Sequence, residues 1–313
     1  MQNAEYISQR KISWRDIAAS IKALTEPSFR VGASASVTTA LRRLSTLTDL
    51  LLPNAGRPEH TISLSDSVTF HVSTRQMLKA ARFLKKEIFR KRRYHRDGFE
   101  IRPNDTIIDI GANMGMFVMW AAPQAPKGRV VAIEPMNVVD CLDMNVRLNE
   151  IKNVTVLKAA VGRDGDVLEF LDYPSFNIIT HQVGVRPAWT TRFAIKVLHL
   201  GNQVDPVPVR APCVSLGTIM DELHLETVDF LKIDCEGGEY EILRTLSDEH
   251  WGRIQRIAME FHELQPGQRH EELVALMEAQ GFEVEVRKPF FDYHFMKFGE
   301  LWARRPQSAP PAV

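Results

Sequence analysis

The chain has 313 residues, 44% hydrophobic and 25% charged, so it can bury one substantial core and carry a smaller extension. Lysine plus arginine and aspartate plus glutamate both number 39, which excludes a global charge that would direct the chain to nucleic acid or an anionic membrane. Cys141, Cys213 and Cys235 lack the spacing of a zinc site or a disulfide framework. With no secretory leader and no membrane-spanning segment expected, the predicted location is the cytoplasm.

The region before the main domain is expected to be a mainly helical extension over residues 1–98. Apolar residues recur at helical spacing around residues 14–24 and 37–51, and these two helices offer faces through which a homodimer can form. Looser alternation at 61–73 predicts a strand or a hairpin. Residues 75–96 predict a strongly basic helix.

The basic helix is expected to present its cations as a solvated face. The alternatives are that it attracts an anionic acceptor or a membrane surface. Nucleic-acid binding is not expected, because no aromatic residues are interleaved through the basic cluster.

The main domain is predicted over residues 99–305, where apolar strands alternate with helical patterns. This alternation indicates βαβ units in a doubly wound, mostly parallel α/β sheet. The predicted strands are 106–110, 130–134, 154–160, 230–234, 254–261 and 282–287, with an antiparallel edge strand at 300–304. The predicted helices are Asn137 (as the cap) through Asn149, Glu239 to Leu246 and Glu271 to Gln280. Residues 167–214 are too long for a simple connection and are predicted to form an acceptor-side insertion, and residues 306–313 a disordered tail.

A glycine-containing turn follows the first of these strands. Gly111 and Gly115 are expected to let a ligand approach the backbone, but Asn113 stands where a dinucleotide site requires its second glycine. Asp109 would repel a pyrophosphate, whereas a carboxylate suits the ammonium group of S-adenosylmethionine. The turn therefore favours S-adenosylmethionine over a nicotinamide cofactor.

An acidic residue also ends the second strand. Glu134 is placed to accept hydrogen bonds from both hydroxyls of a ribose. Pro135 and Met136 follow it, and the Met136 side chain is a candidate to lie on an adenine face or simply to fill the core. The alternative for Asp109 and Glu134 is a structural role as strand-end carboxylates that cap a helix.

Taken in order, several segments resemble those of the FkbM-type methyltransferases, and the similarity extends from about Phe99 to Arg304. The segments are Asp109-Ile-Gly-Ala-Asn-Met-Gly115, Ala132-Ile-Glu-Pro-Met-Asn137, Asn145 to Asn149, Leu157 to Gly162, Val214 to Leu223 and Lys232-Ile-Asp-Cys-Glu-Gly-Gly-Glu239. This resemblance implies a Rossmann-like, seven-stranded class I fold that uses S-adenosylmethionine. It also implies methyl transfer, most often to a hydroxyl of a sugar, polyketide, lipid or other secondary metabolite.

The resemblance also assigns cofactor contacts. Asp109, Gly111 and Asn113 would line the methionine end, Glu134 the ribose, and the backbone of Ala160 and Val161 the adenine edge. The residues of the second motif agree with this assignment, because Asp234 ends a predicted strand and is expected there to face the sulfonium.

The carboxyl ends of the predicted strands 230–234 and 254–261 supply candidates for proton transfer. His262 is the first choice of general base because an ordinary imidazole, with a pKa of about 6.5, is neutral in the cytoplasm, and Glu260 is placed to orient it. Asp234 is the alternative base, with Glu236 beside it. Asp234, Glu260 and His262 are also an alternative set of ligands for a magnesium-like ion, although no metal is favoured. Lys232 is expected to extend to the surface in a structural role.

The sequence therefore predicts an O-methyltransferase that acts on a small or medium hydroxylated metabolite. A metal-assisted enzyme or an N-methyltransferase of the same fold is the nearest alternative. A nicotinamide-dependent reductase and a non-catalytic scaffold that binds partners through the basic helix are alternatives from other classes.

Overall fold

The computed structural model describes residues 60–172, 181–182, 207–290, 293–294 and 297–306. The chain divides into two units after Pro58, and every described residue belongs to the second unit. The helices predicted before residue 60, most of the predicted insertion and nearly all of the predicted tail lie outside the described residues.

A hairpin and a helix open the described chain. Their bounds are β1 (His60–Ser63), β2 (Thr69–Val72) and α1 (Arg75–Lys85), followed by a π-helical turn at Lys86–Arg90. Thr74 caps α1, since its hydroxyl accepts a hydrogen bond from the Met77 N–H. The hairpin prediction is confirmed. The helix predicted at 75–96 is shorter than expected: the α-helix ends at Lys85 and the π-helical turn that follows ends at Arg90.

The first half of the main domain alternates strands and helices. It comprises β3 (Thr106–Ile110), α2 (Met116–Ala121), a 3-10 turn (Ala122–Gln124), β4 (Arg129–Ile133), α3 (Val139–Leu148) and β5 (Val154–Leu157). Asn137 does not cap α3, because the cap residue is Val138, and the Asn137 Oδ1 instead accepts a hydrogen bond from Lys158 Nζ at 2.8 Å.

A second, four-stranded sheet contains the strands of the described part of the predicted insertion and one short strand that precedes it. Its strands are β6 (Ala160–Val161), β7 (Val167–Asp172), β8 (His181–Gln182) and β9 (Val207–Val214), in the order β6-β9-β7-β8. The single strand predicted at 154–160 is therefore wrong: the chain leaves the main sheet after Leu157 and joins the second sheet at Ala160.

The second half of the main domain completes the large sheet. It comprises α4 (Leu216–Glu222), β10 (Phe230–Ile233), α5 (Glu239–Arg244), α6 (Asp248–Arg253), β11 (Arg256–His262), α7 (His270–Ala279), β12 (Glu283–Arg287) and β13 (Phe298–Arg304). The sheet has seven strands in the order β12-β13-β11-β10-β3-β4-β5. β13 is antiparallel as predicted, but it lies between β11 and β12 rather than at the edge.

The direction of strand order changes between β3 and β10, and in open α/β sheets ligands bind at the carboxyl ends of strands at such a point. Ile110 is paired with both Ile133 and Ile233, so β3, β4 and β10 end level with one another. The residues that follow these three strands therefore emerge together.

The core lies on both faces of the large sheet. Ile107 belongs to one apolar cluster and Ile108 to the other, as expected for side chains that alternate along a strand. The first cluster also contains Phe70, Ile88 and Tyr94. The described part of the predicted extension thus shares the core of the main domain.

Candidate active site

The two glycines of the turn after β3 make room for protein atoms. Gly111 has φ +74°, and a Cβ placed there would lie 1.8 Å from the carbonyl oxygen of Asp234. Gly115 has φ +92°, and its Cβ would lie 2.3 Å from Leu142 Cδ1. Both glycines are therefore required by the packing of the turn, a reason that differs from the ligand approach predicted for them.

Glu134 lies at the end of β4 with an exposed fraction of 6%. Its Oε2 accepts a hydrogen bond from the Asn113 N–H and its Oε1 from the Met136 N–H, both at 2.9 Å. Burial raises the pKa of Glu134 to about 7 despite these two bonds. Each carboxylate oxygen retains acceptor capacity, so the residue fits the two hydroxyls of a ribose as well as holding the turn.

Asp109 is completely buried. It is therefore not the accessible carboxylate that was predicted to attract the ammonium group of S-adenosylmethionine. Its Oδ1 lies 2.8 Å from Lys232 Nζ, which also donates a hydrogen bond to the Gly111 carbonyl at 3.0 Å. Burial raises the pKa of Asp109, and Lys232 opposes that shift. The expectation that Lys232 extends to the surface is wrong, because the ammonium is buried as the partner of Asp109.

Of the predicted adenine contacts, Pro135 and Met136 directly follow Glu134 in the chain, whereas Ala160 and Val161 lie in a later strand. Met136 is buried in the core, while Pro135 is half-buried. Ala160 and Val161 form β6 and are paired with Cys213 and Val214. Their contact with adenine stays a prediction.

Asp234, Glu260 and His262 meet at the carboxyl ends of β10 and β11, where one side-chain donor atom from each lies within 4.8 Å of the others. Their closeness lets one group control the charge of another.

His262 is surrounded by carboxylates. Its Nδ1 lies 2.9 Å from Glu239 Oε1, and its Nε2 lies 3.4 Å from Glu260 Oε1 and 3.6 Å from Glu236 Oε2. Burial alone would lower the pKa of His262, but Glu236, Glu239 and Glu260 together raise it well above the ordinary value. This direction disfavours the neutral imidazole that a general base requires, and the role of His262 as the base stays a prediction.

Glu239 organises the loop between β10 and α5. It is completely buried, and its Oε1 accepts hydrogen bonds from the Cys235 and Gly237 N–H groups at 3.3 and 3.2 Å. The neighbouring Glu236 has φ +54°, a left-handed conformation that is unfavourable for a non-glycine residue. Strained backbone of this kind occurs preferentially at functional sites.

Two residues at the end of the basic segment enter the same cluster. Arg93 places its Nη2 2.7 Å from Glu260 Oε2 and its Nε 3.4 Å from Glu300 Oε1. The Tyr94 hydroxyl donates a hydrogen bond to Asp234 Oδ2 at 3.2 Å. Arg93 is therefore not part of a solvated face, whereas Lys79, Arg82, Lys86 and Arg90 are exposed. No local pattern marked Arg93 or Tyr94, because their partners lie more than 130 residues away.

The metal alternative must compete with these contacts. Glu260 already lies between the cations Arg93 and His262. A second group of three potential ligands, Glu263, His270 and Glu271, has Lys288 Nζ 3.2 Å from His270 Nε2. In the first group the Arg93 guanidinium already contacts one of the three potential ligands; in the second, Lys288 contacts Nε2 of His270, while Nδ1 lies beside Glu263 and Glu271.

The Methyltransferase FkbM domain family matches residues 109–284 of this chain. The chain belongs to the FkbM methyltransferase family. A relative from Streptomyces tacrolimicus, 31-O-demethyl-FK506 methyltransferase FkbM, is 30% identical over 230 residues, covering 67% of this chain and 85% of the relative. Methyltransferase 1 from Beauveria bassiana is 27% identical over 258 residues, covering 78% and 97%.

Among solved structures, methyltransferase FkbM from Methylobacillus flagellatus KT is similar with 16% identity and a TM-score of 0.42, covering 67% of this chain and 46% of that one. As an FkbM methyltransferase, the protein uses S-adenosylmethionine, and Glu134 supplies a carboxylate that fits its ribose. In the described part of the chain, no helix is both long and apolar enough to cross a bilayer.

Proposed function

We propose that this FkbM methyltransferase methylates a hydroxyl oxygen of a small or medium metabolite, such as a sugar or polyketide, with Asp234 as the proton acceptor. One observation carries the proposal: Asp234 directly follows β10 at the switch point of the sheet and is only half-buried. Tyr94 binds its Oδ2, whereas no group among the described residues donates a hydrogen bond to its Oδ1. Support for oxygen comes from the name of the Streptomyces relative, a 31-O-demethyl-FK506 methyltransferase.

Methyl transfer requires alignment and the removal of one proton. S-adenosylmethionine, when bound, supplies a methyl group activated by a positively charged sulfur. Glu134 holds the ribose, and the Asp234 carboxylate receives the proton of the acceptor hydroxyl. His262 stays protonated, fixes the loop through Glu239 and compensates the charge of Glu260.

Other parts of the proposal rest on sequence reasoning. The residues of the predicted extension (1–98) and of the predicted insertion (167–214) select the acceptor, and residues 306–313 take no part. Pro135, Met136, Ala160 and Val161 contact the adenine, and Gly111, Asn113 and Gly115 form the turn near the methionine end. A homodimer, a cytoplasmic location and the absence of nucleic acid as a partner stay predictions.

Binding and transfer are tested separately. Calorimetry with S-adenosylmethionine and S-adenosylhomocysteine is expected to show binding by the wild-type protein and weaker binding by Glu134→Ala. Incubation of a metabolite extract with deuterated-methyl cofactor is expected to label one class of hydroxylated compound, identified as oxygen- or nitrogen-methylated by fragmentation. We expect Asp234→Asn to lower transfer by about 10²-fold or more while binding persists. Normal transfer by Asp234→Asn would refute the assignment of the base.

A metal-assisted reaction is the second candidate, favoured by the closeness of donor atoms on Asp234, Glu260 and His262. In that case chelation abolishes transfer and added magnesium restores it. The proposed reaction, with Arg93 and His262 as the resident cations, continues after chelation.

A further inference from the structure

The backbone before the site changes its geometry in two steps. The π-helical turn at Lys86–Arg90 ends α1, and Arg92 then adopts a left-handed conformation with φ +52°. Single π-helical turns within helices occur frequently at functional sites. After this change the chain carries Arg93 and Tyr94 to the carboxyl edge of the large sheet, and both precede the segment that the family matches, 109–284.

Arg93 anchors the segment at that edge. Its guanidinium contacts Glu260 on β11 and Glu300 on β13, with a further ion pair to Glu87 at 3.9 Å. Because these partners belong to three separate elements, the position of the next residue is determined by several contacts rather than by one.

Tyr94 is buried, with an exposed fraction of 6%. Its ring packs edge-on against Phe117 at a centroid distance of 5.2 Å, and Lys232 Nζ lies 5.6 Å from the ring centre. Burial, together with the nearby Asp234, raises the pKa of the Tyr94 hydroxyl well above its usual value. The hydroxyl therefore keeps its proton and acts as a hydrogen-bond donor to Asp234.

We propose that Tyr94 is a positioning residue for methyl transfer: its hydroxyl holds Asp234 Oδ2 and leaves Oδ1 available for the proton of the acceptor. This inference rests on the proposed function of Asp234. The acceptor oxygen gives its proton to Oδ1 and forms the new bond to carbon with the electron pair that it retains. The pair of the breaking carbon–sulfur bond stays on sulfur, which becomes a neutral thioether, and Asp234 later releases the proton to solvent. Without the Tyr94 hydroxyl the carboxylate can rotate away from this alignment.

The substitution Tyr94→Phe removes the hydroxyl and keeps the ring. Tyr240→Phe is a matched control, since Tyr240 is also buried but its hydroxyl has no hydrogen-bond partner among the described residues. We expect Tyr94→Phe to lower kcat for deuterated-methyl transfer by about 10- to 100-fold, with KM and Kd for S-adenosylmethionine within about threefold of wild type. Tyr240→Phe should leave all three unchanged.

A second readout needs neither cofactor nor acceptor. The chain contains five tyrosines, so protein labelled with ¹³C at the tyrosine ζ carbon gives few enough signals to assign with Tyr94→Phe and Tyr240→Phe. Asp234→Ala removes the acceptor and is expected to move the Tyr94 signal by more than its linewidth, while the Tyr240 signal stays in place.

The outcomes separate the two claims. If the wild-type protein labels no compound in the extract, the proposed function fails and the role of Tyr94 fails with it. If wild type transfers label and Tyr94→Phe matches Tyr240→Phe, only the positioning role is refuted. Loss of cofactor binding or of thermal stability in Tyr94→Phe in parallel with kcat also overturns it, since that pattern indicates a purely structural residue.

Discussion

Asn145 on α3 and Asn149, the residue that follows α3, both bind β2 of the hairpin, and substitution of Asn145 tests how strongly this contact stabilises the fold. Asn145 is completely buried; its Oδ1 accepts a hydrogen bond from the His71 N–H at 2.7 Å. Its Nδ2 donates to the carbonyl oxygens of His71 and Cys141 at 2.8 and 2.9 Å. The side-chain amide thus takes the place of a neighbouring strand for the edge of β2.

The substitution Asn145→Asp keeps the shape but replaces the Nδ2 donor with an oxygen. Two hydrogen bonds are lost, the His71 carbonyl faces a carboxylate, and the buried charge keeps only the hydrogen bond from the His71 N–H. Losing a buried donor costs about 1–3 kcal/mol, and an uncompensated buried charge raises the total to about 3–5 kcal/mol. Burial favours the protonated form of the new aspartate, so this loss should grow as pH rises from about 4 to 8.

Asn149→Asp is the matched control. Asn149 makes the same kind of contacts one helical turn later, with its Oδ1 accepting from the Thr69 N–H at 2.9 Å and its Nδ2 donating to the Thr69 carbonyl at 2.7 Å. Because Asn149 is only half-buried, we expect its substitution to cost about 1 kcal/mol. Urea unfolding at pH 5 and pH 8, followed by circular dichroism, measures both. Losses that agree within about 0.5 kcal/mol at pH 8 would refute the argument from burial.

Two further predictions follow from buried charges. The folded-state pKa of Glu134, about 7, lies above its ordinary value of 4.5, so the folded protein is the better proton binder and loses about 3 kcal/mol as pH rises from 4.5 through 7. Glu134→Gln should remove this loss of unfolding free energy, as measured by urea titrations across this pH range. Calorimetry should show weaker S-adenosylmethionine binding by the variant. If the unfolding free energy of the variant falls with pH as steeply as that of wild type, Glu134 is not the group responsible. Lys232→Met leaves Asp109 buried without its cation and should cost about 3–5 kcal/mol of unfolding free energy, whereas the double variant with Asp109→Asn should recover most of it. A loss in the double variant equal to the sum of the losses of the two single variants would show that the pair does not interact.

The parallel sheet and its acidic edge were predictable from local patterns. Apolar runs identified the strands, and an acidic residue on or directly after β3, β4 and β10 pointed to one edge, because parallel strands share their carboxyl ends. Local sequence is sufficient to predict this edge, because the direction of a strand determines where the residue after it lies.

The second sheet was not predicted, because its strands pair across a long stretch of the chain. β7 pairs with β9 along the whole length of β7, yet the segment that joins the two strands is more than thirty residues long. Neither strand shows the strong apolar run of the main sheet, since Val167 and Val207 are both about half-exposed. The position of β13 between β11 and β12 likewise depends on pairing, which no local pattern specifies.

The sequence by itself determined the strand–helix rhythm, the family and the residue types at the carboxyl edge. Only the tertiary structure decided the surroundings of those residues: Lys232 pairs with Asp109, three glutamates raise the pKa of His262, and Tyr94 binds Asp234. The physical reason is that ionisation and orientation depend on which groups become neighbours after folding. Those neighbours come from segments far apart in the chain, and periodicity along one segment carries no information about them.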